Sequence, residues 1–276
     1  MSAKLRFHVI TVFPEMISHA LSYGVVAQAL KSGLLELTVT TPRTFTSNVH
    51  QTIDDRPFGG GDGMVMMPEP LALAFDSVRA KLPTEAKVRS VHLSPRGCKL
   101  NDQKTRALAS EYTDIILVAS RYAGVDQRFL NTFVDEEISI GDFIVSGGEL
   151  PALVLIDAIS RHVAGVLGND LSSEDESFAP GQTGGLEFPQ FTRPRDWRGY
   201  SVPAALLSGD HAKVAQWKRA LGVLVTAENR PDLLSGFKRS DLLQAEKILN
   251  QISDDELKEC GLHDRQQILE RLGSSS

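Results

Sequence analysis

Three short segments rich in glycine and small polar residues have the character of ligand-binding loops, because each follows a segment with the pattern of a strand. They span residues 94–97, 120–124 and 141–148. The strand before the second loop, residues 115–119, is a continuous apolar run, which is typical of buried parallel strands. Ligands bind at the carboxyl ends of such strands. We therefore expect the three loops to converge on one ligand. For the glycines of residues 141–148, a tight turn without a ligand is the alternative.

The loops do not match the common nucleotide-binding motifs. No lysine of the Walker type follows the glycines, and their spacing differs from the dinucleotide-binding fingerprint. A nucleotide-binding oxidoreductase is therefore disfavoured. A nucleotide-like ligand would have to be bound in another way.

A fourth segment, residues 54–64, has the sequence DDRPFGGGDGM, and four of the five residues 59–63 are glycine. Asp54, Asp55 and Arg56 precede the glycines, and an apolar run follows them. Loops that are anchored at both ends are often functional. A flexible surface loop is the alternative.

Patterns of strands and helices alternate as far as Gly168, which predicts an α/β domain with a mainly parallel sheet in residues 1–168. Residues 169–185 are polar and rich in serine, glycine and acids, as in a flexible linker. Residues 186–276 have mainly helical patterns and predict a smaller α-helical domain. A helix from Pro151 to Val163 is apolar on more than one side, which predicts that it is buried.

Three local expectations concern the first domain. Residues 14–30 have the pattern of one helix. Residues 94–97 are expected to form a turn at the end of a strand. Residues 143–145 are expected to resume the apolar segment that precedes the turn at 146–148.

The composition excludes several classes of protein. The chain has 276 residues, of which 23% are charged, and a mean hydropathy of −0.12, as expected of a soluble globular protein. It has no run of about 18 apolar residues that would predict a membrane span, and its amino terminus lacks the pattern of a signal peptide. Cys98 and Cys260 make neither a disulfide framework nor a metal-ligand cluster. We therefore expect a cytoplasmic protein.

The charge is unevenly distributed along the chain. The net charge is −6, but residues 186–240 contain nine cationic and five anionic side chains, a local charge of +4. A basic segment in an acidic protein is a weak indication of a polyanionic partner. An ordinary solvated surface is the alternative.

Eight segments in order resemble bacterial tRNA (guanine-N1)-methyltransferases of the TrmD type, over nearly the whole chain from Phe7 to about Leu234. They read DDRPFGGGDGMVM, LSPRGCKL, RYAGVDQR, EISIGDFIVSGGELPALVLIDAISR, GVLG, SFAPG, FPQFTRP and VPAALLSGDHAKVAQWKR. The resemblance implies methyl transfer from S-adenosylmethionine to N1 of guanosine 37 in tRNA, beside the anticodon. It also implies a SPOUT-type fold with a deep trefoil knot, and a homodimer whose active site combines residues of both subunits.

The resemblance assigns the three loops to the cofactor. The implied cofactor-binding residues are Leu93, Ser94, Pro95, Gly97, Ser120, Arg121, Tyr122, Ser139, Ile140, Gly141, Asp142, Phe143, Ile144, Val145, Gly147, Gly148 and Pro151.

Methylation of guanine N1 needs a base to remove its proton and a cation or donor to hold the charge that grows on O6. The resemblance implies that Arg161 is the cation. It also implies a base in the motif Asp-Ser-Phe, which reads Glu-Ser-Phe here, with Glu176 at the position of the aspartate. Asp175 is adjacent, so the base is either Glu176 or Asp175.

A second departure concerns Ala123. The family has Arg-Tyr-Glu-Gly where this chain has Arg-Tyr-Ala-Gly, and the alanine at position 123 can carry no charge. Either another acid such as Asp126 replaces the missing glutamate, or turnover is reduced. A knotted RNA-binding protein of the same fold that has reduced or lost catalysis is therefore the main alternative to an active enzyme.

The implied partner is tRNA rather than DNA or a membrane. Candidate contacts to RNA are cationic side chains, because phosphate contacts position structured RNA on proteins. They are Arg56, Arg193, Arg195, Lys213, Lys218 and Arg219. The resemblance implies a dependence on magnesium, and with no ligand cluster in the sequence we expect Mg²⁺ to be recruited together with the RNA.

Overall fold

Five parallel strands form one sheet in the first part of the chain. The strands of this part are β1 (Leu5–Thr11), β2 (Leu35–Thr40), β3 (Asp54–Asp55), β4 (Val65–Met66), β5 (Val88–Lys99), β6 (Asp114–Ala119) and β7 (Glu136–Ser139). The sheet has the order β2-β1-β6-β5-β7, and each neighbouring pair is parallel. Strands β3 and β4 form a separate antiparallel pair. The predicted mainly parallel sheet is confirmed.

The computed structural model describes residues 5–168 and 176–274. The chain divides into two compact units, Met1–Asn169 and Asp170–Ser276. The helices of the first unit are α1 (Pro14–Ala20), α2 (Gly24–Lys31), α3 (Pro68–Arg79), α4 (Asp102–Glu111), α5 (Gln127–Phe133) and α6 (Glu149–Ser160).

Helices cover both faces of the sheet, so the central strand β6 is buried on each side. Ile115, Leu117 and Ala119 pack on the face covered by α1, α2, α4 and α6. Ile116 and Val118 pack on the opposite face, which α3 and α5 cover. Two buried faces explain why this strand is a continuous apolar run rather than an alternating one.

The second unit is mainly helical. Its helices are α7 (His211–Asn229), α8 (Arg239–Leu249), α9 (Asp254–Glu259) and α10 (Arg265–Ser274), and strands β8 (Asp196–Trp197) and β9 (Tyr200–Ser201) form a small antiparallel pair. The long helix α7 supplies Trp217, Leu221 and Leu224 to a core that also includes residues of the three later helices. The predicted C-terminal helices are confirmed.

The three local expectations need correction. Residues 14–30 form two helices, because the chain turns at residues 21–23 and Gly24 has a φ of +73°, which suits glycine. Residues 94–97 lie within β5, where Leu93 and Cys98 both pair with Ile138, so these residues bulge out of register. Residues 143–145 form no strand, and Ile144 is exposed. The trefoil knot stays a prediction, because strand order alone does not define how the chain is threaded.

Candidate functional site

The three loops meet around one cavity at the carboxyl ends of β5, β6 and β7. Its volume is about 430 Å³. Of the residues expected at the cofactor, all but Gly97, Arg121 and Asp142 line it. The cavity is also lined by His92, Arg96, Ala123, Gly124, Val125, Leu130, Ile138 and Ser146. The expected convergence of the loops on one site agrees with this geometry.

Two glycines allow the loops to pack closely against the sheet. A Cβ atom on Gly97 would lie 2.3 Å from the backbone carbonyl carbon of Glu137, and one on Gly148 would lie 2.7 Å from Cα of Ala119. Both neighbours are backbone atoms, so no side-chain movement could relieve the clash. Gly97 therefore acts in the packing of β5 on β7 rather than in the lining of the cavity.

Arg121 joins two of the loops although it does not line the cavity. Its Nη1 donates to the carbonyl oxygen of Ser146 at 3.2 Å, and its Nε lies 2.8 Å from Oε2 of Glu149. Glu149 is fully buried and also accepts a hydrogen bond of 2.7 Å from Thr11 Oγ1. The guanidinium carbon lies 4.6 Å from the ring centre of Phe13. These contacts fix the loop after β6 to the loop before α6.

The segment that follows the glycines of residues 59–63 packs against residues 123 and 124, which line the cavity. The amide of Ala123 donates to the carbonyl oxygen of Met64 at 2.8 Å, and the amide of Met66 donates to that of Gly124 at 2.9 Å. Tyr122, directly before Ala123, has a φ of +62° and is half-exposed. Non-glycine residues with such a left-handed backbone conformation are uncommon, and they cluster at binding sites.

Asp126 is not a free acid that could replace the glutamate missing at position 123. The carboxylate of Asp126 accepts from the backbone amide of Arg128 at 2.9 Å and pairs with the Arg128 Nη2 at 2.7 Å. It also caps the first turn of α5. The hydrogen bonds from Arg128 lower the pKa of Asp126 below its usual value. Asp142, another acid near the loops, pairs with Lys99 at 2.6 Å.

His92 is a cavity residue that the sequence analysis missed. Its Nδ1 lies 2.8 Å from Oε1 of Glu137, and its Nε2 lies 2.9 Å from Oγ of Ser120. Burial lowers the pKa of His92 below its usual value, although the hydrogen bond to Glu137 opposes that shift. The only signal in the sequence was a histidine near the end of the strand that precedes the first loop.

Comparison with known proteins decides the family to which these loops belong. A family model described as tRNA (Guanine-1)-methyltransferase TrmD matches residues 5–236. The chain belongs to this family. A Pseudomonas putida protein named tRNA (guanine-N(1)-)-methyltransferase is 48% identical over 230 residues, which cover 83% of this chain and 90% of the relative. A Shewanella sediminis protein of the same name is 45% identical over 247 residues, which cover 90% and 99%.

The residues expected to act on the substrate lie in different units of this TrmD-family chain. Arg161 is half-buried and directly follows α6 in the first unit. Glu176 is half-buried and belongs to the second unit. Asp175 lies outside the described residues. Phe178, in the same motif, has a φ of +72°, and its amide donates to the carbonyl oxygen of Gly185 at 2.7 Å.

The cations expected to contact RNA are mostly exposed in this family member. Arg56, Arg193, Arg195, Lys213 and Arg219 are exposed, and Lys218 is half-buried. Several are engaged locally. Lys218 lies 4.6 Å from the ring centre of Phe188, Lys213 pairs with Asp210, and Arg219 pairs with Asp241.

Within residues 5–168 and 176–274, no group of three or more His, Cys, Asp or Glu side chains is arranged to hold a metal ion. In the same residues, no helix combines the length and the hydropathy needed to span a membrane.

Proposed function

We propose that this protein is an enzyme that transfers a methyl group from S-adenosylmethionine to N1 of guanosine 37 in tRNA, and so supports maintenance of the reading frame. The observation that carries the proposal is the family match over residues 5–236, which includes every residue assigned to the site. The loops around the cavity in the first unit support the same conclusion.

The cavity suits a cofactor of this size and polarity. Its volume of about 430 Å³ lies in the usual range for small-molecule sites. Apolar side chains such as Leu93, Ile138 and Val145 line it together with the hydroxyls of Ser94 and Ser120. When bound there, S-adenosylmethionine supplies an electrophilic methyl group on its sulfonium.

The remaining chemistry belongs to the side chains of the protein. The carboxylate of Glu176, or that of Asp175, removes the proton from guanine N1. Arg161 holds the negative charge that develops on O6. A carboxylate and a guanidinium suit these roles because one accepts a proton and the other stays cationic at any physiological pH.

We infer a homodimer in which the cavity of one subunit is completed by the second unit of its partner. Helix α6 supports this inference, since one of its faces is buried while Leu150 and Val154 on another are 46% and 47% exposed. Phe13, Tyr23 and Val25 in the same unit are also exposed apolar residues. We propose that the dimer interface covers these side chains, since contiguous exposed apolar patches mark interaction sites.

The basic part of the second unit is the proposed contact with tRNA. Arg193, Arg195, Lys213, Lys218 and Arg219 would bind phosphates, and Arg56 would contribute from the first unit. We expect Mg²⁺ to be bound together with the RNA, and we expect the protein to act in the cytoplasm, where its substrate is found.

A transfer experiment tests the proposal. Purified protein is incubated with S-adenosylmethionine labelled in the methyl group and with an unmodified tRNA transcript that has G at positions 36 and 37. The matched control is a transcript with A at position 37. We expect label only in the first transcript. Cofactor and tRNA binding without transfer would instead support an RNA-binding protein that has lost catalysis.

A further inference from the structure

His92 occupies the wall of the cavity between two of the cofactor loops. Its side chain is only 4% exposed, and both ring nitrogens are engaged. Nδ1 faces Oε1 of Glu137 at 2.8 Å, and Nε2 faces Oγ of Ser120 at 2.9 Å. Ser120 itself lines the cavity. The histidine therefore connects Glu137, which does not line the cavity, to a hydroxyl that does.

The chemistry of the partners determines where the imidazole carries its proton. An ionised carboxylate only accepts hydrogen bonds, so the contact with Glu137 requires a hydrogen on Nδ1. In the neutral ring the other nitrogen is then an acceptor. Ser120 must donate its hydroxyl hydrogen to Nε2. The remaining lone pairs of Ser120 Oγ are left as acceptors for a ligand in the cavity.

We propose that His92 is a positioning residue that holds the Ser120 hydroxyl as a hydrogen-bond acceptor towards the methyl donor, and that protonation of His92 reverses the hydrogen bond between the two side chains and weakens this acceptor. The inference rests on the proposed function, because it takes S-adenosylmethionine as the ligand. The donor group that Ser120 would bind is one of the hydroxyl or amino groups of that molecule.

Protonation adds one hydrogen, on Nε2. Both ring nitrogens then donate, and Ser120 Oγ must accept from Nε2. The hydroxyl hydrogen of Ser120 is released from His92 and becomes available to the cavity. One of the two lone pairs of Ser120 Oγ is then used by His92, the nearby positive charge makes the oxygen a poorer acceptor, and the hydrogen bond to a donor group of the ligand is weakened.

The groups around His92 keep its ring neutral at physiological pH. Burial lowers the pKa of His92 below its usual 6.5, and the positive charge of Arg96 acts in the same direction. Glu137, on β7, raises it but does not offset these effects. Burial raises the pKa of Glu137, but hydrogen bonds from His92 and Arg96 together lower it by more. The net shift of this pKa is downward, so the carboxylate stays ionised. The reversal is therefore expected only in acid.

Nitrogen NMR of the protein labelled with ¹⁵N-histidine tests the tautomer without any ligand. The chain has seven histidines, and the spectrum of His92→Gln identifies the signals of His92. At about pH 7.5, above the usual pKa of histidine, we expect a protonated Nδ1 and an unprotonated Nε2. A proton on Nε2 in that neutral ring would overturn the inference.

Calorimetric titration with S-adenosylmethionine tests the consequence for binding. Between about pH 8 and pH 5 we expect the affinity of the wild type to fall by up to about fivefold, the value of one hydrogen bond. Ser120→Ala should bind about fivefold more weakly than the wild type at the higher pH, and should lack this additional fall. Ser139→Ala is the matched control, because Ser139 lines the cavity but its hydroxyl contacts Gly141 rather than a histidine.

The outcomes separate this inference from the proposed function. The same fall in affinity in Ser120→Ala as in the wild type would overturn the role of His92. Loss of the fall in Ser139→Ala as well would also overturn it, because the effect would then not depend on Ser120. No binding of S-adenosylmethionine to the wild type at any pH would contradict the proposed function itself.

Discussion

Nε of Arg121 lies 2.8 Å from Oε2 of the fully buried Glu149, and this ion pair joins the loop after β6 to the first turn of α6. Arg121 does not line the cavity, so its contribution is to hold the lining loops in place. The side chain of Arg121 is 20% exposed, and Glu149 also accepts from Thr11 at the end of β1. The pair therefore anchors the cavity to the sheet.

Replacing Glu149 tests this anchoring. Glu149→Gln keeps the shape of the side chain but leaves the partly buried guanidinium of Arg121 without its counter-charge. We expect the free energy of unfolding to fall by roughly 3 kcal/mol, measured by urea denaturation. Lys99→Gln is the control, because Lys99 and Asp142 are 67% and 77% exposed and their pair should contribute less than about 1 kcal/mol. Equal losses in the two variants would contradict the anchoring role.

The second prediction concerns the close approach of β5 to β7. Gly97→Ala would place a Cβ atom 2.3 Å from the backbone of Glu137 and force the strands apart. We expect a loss of roughly 2 kcal/mol in unfolding free energy and weaker cofactor binding. Gly168→Ala is the control, since the described residues place no atom within 4 Å of the added carbon. A Gly97→Ala protein as stable as Gly168→Ala would show that the bulge can relax.

The first unit should lose stability in acid through Asp114. Burial raises the pKa of this carboxyl, but hydrogen bonds from Arg6, His8 and Thr113 together lower it by more. The pKa of Asp114 therefore lies below its usual 3.8. Near and below pH 3.8 the unfolded state binds more protons at Asp114 than the folded state does. The ionised carboxylate therefore stabilises the fold above this pH, and that stabilisation is lost as the pH falls.

Unfolding free energies measured against pH test this prediction. Asp114→Asn should destabilise the protein by roughly 3 kcal/mol at neutral pH, because it leaves Arg6 without its buried partner. The difference from the wild type should shrink as the pH falls below 3.8. A constant difference across the acid range would show that the charge of Asp114 does not contribute.

The sequence predicted where the three loops meet, but not the local backbone geometry around the cavity. The alternation of predicted strands and helices, with one continuous apolar run at residues 115–119, identified a parallel sheet. The meeting of residues 94–97, 120–124 and 141–148 at the carboxyl ends of its strands then followed from a general property of such sheets. The bulge in β5 was missed, because it depends on pairing with Ile138, which is distant in the sequence.

His92 and the contacts of Arg121 were missed for a related reason. A single histidine in a strand has no local signal that reveals Glu137 and Ser120 as its partners. Likewise, nothing in the local sequence pairs Arg121 with Glu149. Such networks are formed by tertiary packing, which periodicity does not encode.

The proposed substrate chemistry predicts separate effects on binding and turnover. Arg161→Ala should leave the affinity for S-adenosylmethionine unchanged and reduce the rate of methyl transfer by about 100-fold or more. Glu176→Gln should reduce that rate far more than Asp175→Asn if Glu176 is the base. The reverse order would assign the base to Asp175. An unchanged rate in Arg161→Ala would contradict the role of Arg161.

A mixture of two inactive variants tests the proposed dimer. If each active site combines the cavity and Arg161 of one subunit with Glu176 of the other, a heterodimer of Arg161→Ala and Glu176→Gln contains one intact site. Co-expression with two different affinity tags allows its purification. We expect about half of the wild-type activity if the two sites work independently. An inactive heterodimer would contradict a site shared in this way.

The most direct test of the central claim is the position of the methyl group in the product. Unmodified tRNA with G at positions 36 and 37 is incubated with the protein and S-adenosylmethionine, digested with nuclease, and analysed by mass spectrometry of the fragments. We predict 1-methylguanosine at position 37 and no methylation in the matched transcript with A at that position. A methyl group elsewhere in the tRNA, or none while both ligands bind, would contradict the proposed function.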